Sequence, residues 1–185
     1  MCIENIMNSL EVEIWLMNKS FNRITSLLSL TKHISGRKKF QKLVHILQHK
    51  GLNFNENFKF HYYGPYSNEL QLKIDALVMN GMIEEKSEDN AWGLHYYKYT
   101  LSNIKDFEVD PELNKYSSLI DYLNSQPAQV LELVSTVYYL LERKKNISAD
   151  EAFLKSLSLK PDLKNKIEDA KNVYHTIESQ YTIQQ

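Results

Sequence analysis

GRKKFQKLVHILQHKGLNFNENFKFHYYGPYSNELQLKIDALVMNG, residues 36–81, is the stretch whose reading decides the fold. Phe40, Leu43, Val44 and Leu47 recur at i, i+3, i+4 and i+7, which sets apolar side chains along one face of an α-helix. Lys38, Lys42, His45 and His49 take the opposite side, and Gly51 supplies a stop signal. Phe58, Phe60 and Tyr62 then alternate with Lys59, His61 and Tyr63, which predicts a short strand with two unlike faces. Gly64-Pro65 is expected to turn the chain. Ser67 or a near neighbour can cap the next helix, whose buried face would be Leu70, Ile74, Leu77 and Val78 and which Gly81 ends.

Working outward, Phe21, Ile24, Leu27 and Leu28 predict an earlier helix ending near Ile34. After Gly81, Met82-Ile83-Glu84-Glu85 reads as a short strand and Lys86 to Gly93 as a polar hairpin loop. LHYYKYTL, Leu94 to Leu101, returns as a tyrosine-rich strand. Three helices closed by a two-stranded hairpin form the winged-helix pattern, with the Phe58–Tyr63 strand expected to pair with that hairpin in a small sheet.

The second half opens on Asp110-Pro111, an N-cap followed by proline at the first helical position, in a helix that includes Leu119, Ile120 and Leu123. Pro127 opens a helix in which Val130, Leu133, Val134, Val137, Tyr138 and Leu141 keep period, as a central buried helix or as a dimer seam. Glu142-Arg143-Lys144-Lys145 puts cations at its C-terminal end, where the helix dipole favours them. Ser148 and Glu151 fit a capping box. Pro161 is expected to start a last helix carrying Leu163, Ile167, Ala170, Tyr174 and Ile177 on one face. The fold class is therefore mainly α (α+β). A winged-helix-like part, 20–106, is followed by a helical part, 107–185, packed on it as one unit. Residues 1–19 form an N-terminal extension, helical or flexible, in which Met7 and Met17 are alternative starts.

Composition narrows the function classes. The chain has 185 residues, 43% of them hydrophobic, enough for a core of one domain or two small intimate ones. Its formal net charge is −1, so no global basic field advertises nucleic-acid binding. The one cysteine, Cys2, rules out an intramolecular disulfide and fits a reducing compartment. No apolar run reaches the roughly 18 residues of a membrane span, and the acidic start lacks the basic region of a signal peptide. A cytoplasmic protein with no membrane partner is expected. The glycines at 36, 51, 64, 81 and 93 fall at breaks between elements, and none belongs to a phosphate-cradling GxGxxG or GxxxxGK loop.

GRKKFQKLVHILQ (36–48), FKFHYYGPYSNEL (58–70) and PAQVLELVSTVYYLLERK (127–144) resemble the YwgA family of bacterial proteins, over about residues 23–179. That family looks related to the SocA-like, or Panacea, antitoxin domains. They share a Lys-Leu helix motif (Lys42-Leu43), an aromatic-Gly-Pro-Tyr turn and a step after glycine (Gly81-Met82-Ile83). The resemblance implies a non-enzymatic module that binds a protein, often a toxin, in toxin–antitoxin or phage-related loci.

Two constellations stand out as partner-binding candidates. Tyr62, Tyr63, Gly64, Pro65 and Tyr66 cluster tyrosines at a rigid turn, which offers large contact area at little side-chain entropy. Joining strand to helix, with some tyrosines in the core, would account for the same residues. Arg37, Lys38, Lys39 and Lys42 put cations at a helix start, against the dipole, either as a solvated face or as a phosphate-binding patch. DNA binding of the winged-helix type is the alternative function. It is disfavoured because the third helix mixes Glu69 and Asp75 with Lys73, and the hairpin carries Glu84, Glu85, Glu88 and Asp89. His45 and His49 have metal-sharing spacing but lack the glutamate of HExxH and a third ligand, and are expected as surface histidines. No nucleophile signature is present. The expectation is a protein partner, toxin included, with no catalytic residues, no metal and no cofactor; monomer and homodimer both stay open.

Overall fold

The computed structural model describes residues 19–89, 95–102, 108–144 and 146–181. The N-terminal extension with Cys2, the hairpin tip with Gly93 and the proposed boundary near residue 106 lie outside them. Helix α1 covers 19–31 and buries Ile24, Leu27 and Leu28. It stops before Ile34 because Lys32 turns to a positive φ of 61°. Ile34–Ser35 instead forms strand β1.

Helix α2, Arg37–His49, buries Phe40, Leu43, Val44 and Leu47 as their spacing requires. Its polar face is buried too, contrary to the simple amphipathic reading. Gln41, Lys42 and His45 lie in the interior because a second helix, α6, covers them. Each finds a polar partner, as buried polar groups must. The Gln41 side chain donates to Ser67 O and accepts from Ser67 N, at 3.0 and 2.9 Å. Lys42 Nζ donates to Pro65 O at 2.5 Å. His45 Nδ1 lies 2.9 Å from Ser135 Oγ.

Strands β2, Lys59–His61, and β3, Gly64–Tyr66, form a tight hairpin with Phe60 opposite Pro65 and His61 opposite Gly64. The turn is therefore Tyr62-Tyr63, not Gly64-Pro65. This hairpin is a sheet by itself and does not join the longer one. The three-stranded sheet runs β1-β5-β4, from β4, Ile83–Asp89, and β5, His95–Leu101. Strand β1 pairs with β5 through Ile34–Tyr99 and Ser35–Lys98, and so fills the edge expected for the Phe58–Tyr63 strand. Lys86 to Asp89 continues β4 rather than looping, because polar side chains pair across the two strands. Tyr96 Oη donates to Glu88 at 2.7 Å, and Lys98 Nζ lies 3.3 Å from the same carboxylate.

Helix α3, Asn68–Met79, starts where Ser67 Oγ accepts from Leu70 N at 3.1 Å. Asp110 caps the short α4, Pro111–Asn114, and α5, Ser117–Ser125, follows as a separate helix. Helix α6, Ala128–Arg143, packs on α2, on β3 and on the two helices after it. Its stripe from Val130 to Leu140 is therefore used inside this chain, which answers the choice between a central helix and a dimer seam. Helix α7, Ala149–Leu159, opens on the Ser148–Glu151 capping box. Pro161 starts a 3₁₀ turn, Pro161–Lys166, before α8, Ile167–Gln180. The core is one cluster reaching from α1 to α8, in a mainly α (α+β) architecture. No helix among the described residues is long and apolar enough to cross a membrane.

Candidate functional site

Successive residues on a helix point about 100° apart, so the basic run at the start of α2 is dealt out to different neighbours. The Arg37 guanidinium turns to the three-stranded sheet, 3.0 Å from Tyr99 Oη, 3.2 Å from Glu85 and over the Tyr97 ring. Lys39 donates to the Asn124 carbonyl at the end of α5. Lys38 and Lys42, one turn apart, both point toward Glu132 on α6. That carboxylate, only 4% exposed, accepts from Lys38 at 3.1 Å and from Lys160 at 2.9 Å. Of the four cations, Lys38 alone lines the cleft described next.

The cleft, of about 780 Å³, lies between the β2–β3 hairpin, Lys38 and Glu132, and the 3₁₀ turn after Lys160. Tyr62 is 76% exposed and Tyr63 49%. Their rings meet edge to face at 4.9 Å, with Lys38 Nζ 4.1 Å from the centre of the Tyr63 ring. Lys160 Nζ donates to the Tyr62 carbonyl and lies 5.5 Å from the Tyr62 ring and 5.8 Å from Phe60. Gly64, at φ +78°, brings the backbone hard against α6: a Cβ there would sit 2.9 Å from Thr136 Oγ1. The tip is thus fastened by α2 through Pro65, by α6 at Gly64 and by Lys160. Gly64, Pro65 and Lys42 are buried beneath the tip. Tyr66 is half-buried beside the His61 ring, does not line the cleft, and has its hydroxyl pKa raised by burial and by Asp75.

No protein-family model matches the chain. It is 36% identical over 129 residues to the uncharacterized protein YwgA of Bacillus subtilis (strain 168), a match that covers 66% of this chain and 75% of that one. The chain belongs to the YwgA family. The relative's name assigns no activity, so the chemistry of this YwgA-family member has to be argued from its own residues.

Lys42 is the most strained ionisation in the site. Burial, followed by its lysine neighbours Lys160 and Lys38, pulls its ammonium down from the usual 10.5 to about 7, against the pull of Glu132. In the unfolded chain the amine titrates normally, so between pH 7 and 10.5 the unfolded state holds more protons. Folding stability therefore rises with pH across that window, and the cost of charging Lys42 is fully present below it. Between pH 7 and 9.5 the wild type should gain about 3 kcal/mol more stability than Lys42→Met, read by urea unfolding at each pH. Parallel profiles would sink this account of Lys42.

Sequence reasoning missed Glu132, Lys160 and Thr136. The one local signal was Glu132 itself, a charge set among apolar residues in VLELV. His45 is corrected from surface to interior: it stacks edge-on against Phe58 at 4.8 Å, and burial lowers its pKa to about 3, so the imidazole is neutral. Its partner Ser135 is fully buried. His49 turns away to Glu142 at 2.5 Å and to the Tyr138 ring. Among the described residues no group of three or more His, Cys, Asp or Glu side chains is placed to hold a metal.

Proposed function

We propose that this YwgA-family chain is a non-catalytic protein-binding module, antitoxin-like or regulatory, that works in the cytoplasm by docking a partner protein on the β2–β3 tip. The observation that carries this reading is the pair of exposed tyrosines, Tyr62 and Tyr63, on a backbone fastened at three points. Aromatic side chains on a pre-organised loop give up little entropy on binding, which is why they dominate protein interfaces. Lys38 would add a charged contact, while Lys42, Gly64 and Pro65 would act by holding the tip in place. The two motifs that resemble those of SocA-type antitoxins, Lys-Leu and Gly-Pro-Tyr, touch in this chain through Lys42 and Pro65.

The test is a tagged pull-down from the native host, with and without nuclease. A stoichiometric protein partner that survives nuclease, with binding weakened about tenfold or more by Tyr63→Ala and by Tyr62→Ala, is the expected result. Full recovery by both variants would remove the tip from the interface.

A second reading, a winged-helix DNA regulator, is favoured by the order α1-β1-α2-β2-β3-α3-β4-β5, a winged-helix succession with the β2–β3 hairpin inserted, and by strands arranged β1-β5-β4. Charge weighs against it. Lys73 on α3 is engaged by Glu56 at 2.7 Å, and α3 presents Glu69, Leu72 and Met79 outward. The α2 cations do not converge with α3 on one positive face. Nuclease-sensitive recovery without a protein partner would decide for DNA.

A further inference from the structure

We propose that the cleft beside the tip binds a small organic phosphate of mononucleotide size, its phosphate between Lys38 and Lys160 and its flat ring against Tyr62 and Phe60. The proposal goes beyond partner docking and does not depend on it. Four features of the cleft carry it.

Its volume, about 780 Å³, suits a ligand of that size and greatly exceeds a free inorganic ion. Its floor is electrostatically unusual. Lys38, Lys42 and Lys160 surround one buried carboxylate, Glu132, with Asp162 the other acid lining the cleft. Once Lys42 takes up its proton beside an incoming anion, three ammoniums against two carboxylates leave surplus positive charge in a partly desolvated recess, where an anion is attracted more strongly than in water. An ammonium has three protons to donate. Lys38, a third exposed, gives one toward Glu132 and retains others on the cleft side. Finally, the walls are aromatic: Phe60, Tyr62 and Tyr63 all line the cleft and all are exposed. Base–aromatic stacking beside lysine–phosphate contacts is how proteins hold nucleotides without reading their sequence. His61, also in the lining, adds a further donor.

The full chain can be titrated by calorimetry with three probes: AMP, adenosine and inorganic phosphate. AMP should bind at least tenfold more tightly than either of the others. Tyr62→Ala should weaken AMP about fivefold or more while leaving inorganic phosphate unchanged, and Lys38→Ala should weaken both. These two side chains project from the surface, and a thermal melt confirms that each variant folds. Lys42 supplies an independent readout. An anion placed beside it favours its protonated form, so AMP binding at pH 7.5 should take up protons, seen as a buffer-dependent enthalpy that Lys42→Met abolishes. AMP binding no tighter than phosphate, or binding indifferent to both Tyr62→Ala and Lys38→Ala, overturns the proposal. Failure here with a partner still lost in Tyr63→Ala would leave the docking function standing, and the reverse pattern would leave the ligand site.

Discussion

Glu132→Ala should destabilise the fold by about 3–5 kcal/mol at pH 7, the range for removing one partner of a buried ion pair. The carboxylate is almost fully enclosed and is the counter-charge that Lys38 and Lys160 touch, with Lys42 close behind. Lys38 is exposed enough to swing into water, so little of the cost falls there. Lys160, 8% exposed, cannot, and Lys42, fully buried, is left with like charges alone. Raising the pH should shrink the loss, because Lys42 then folds as a neutral amine and no longer needs Glu132. Glu132→Gln, which keeps the shape and an acceptor oxygen, should fall between the variant and the wild type. Urea unfolding followed by circular dichroism reads all three; a loss under about 1 kcal/mol for Glu132→Ala would mean that the lysines carry no unmet charge.

Gly64→Ala is the second large effect, expected at about 2–4 kcal/mol from two separable causes. The left-handed backbone, φ +78°, strains any L side chain, and the new methyl would meet Thr136 Oγ1 at 2.9 Å. Thr136→Ala deletes that oxygen, whose own hydrogen bond runs within α6 to Glu132 O at 2.7 Å. In the Thr136→Ala background, Gly64→Ala should therefore cost only the backbone strain, about 1–2 kcal/mol. Equal costs in both backgrounds would show that α6 does not press on the tip. The single variant should also weaken partner capture although both tyrosines are intact, because the turn they sit on would shift.

The capping residues were legible because a cap is a local event. Ser67, Asp110 and the Ser148–Glu151 box bond to backbone two or three residues away, and they stand where their spacing placed them. The partner of strand β5 was not legible. Ile34–Ser35 is too short to carry an alternating pattern, and it pairs with residues more than sixty positions on. The hairpin turn misled for a related reason. Gly64-Pro65 has turn chemistry, but glycine is demanded there by the close approach of α6, while Tyr62-Tyr63 makes the bend. Of the candidate site, Tyr62, Tyr63 and Lys38 were named from sequence and do line one cleft; Arg37 and Lys39 went elsewhere because helix geometry separates neighbours.

By itself, then, the sequence determined the helices, their apolar faces, most of their ends and membership of the YwgA family, since periodicity, caps and motif spacing are properties of neighbouring residues. Only the tertiary structure decided that the polar face of α2 would be interior. An amphipathic pattern tells which side of a helix avoids water, but not whether another helix will cover the other side. Here α6 does so, and Lys42, His45 and Gln41 are buried with partners that lie 23 to 90 residues away. That same burial gathers Lys38, Lys160 and Glu132 under the tyrosine tip and creates the charge imbalance on which both the stability and the proposed ligand of the cleft depend.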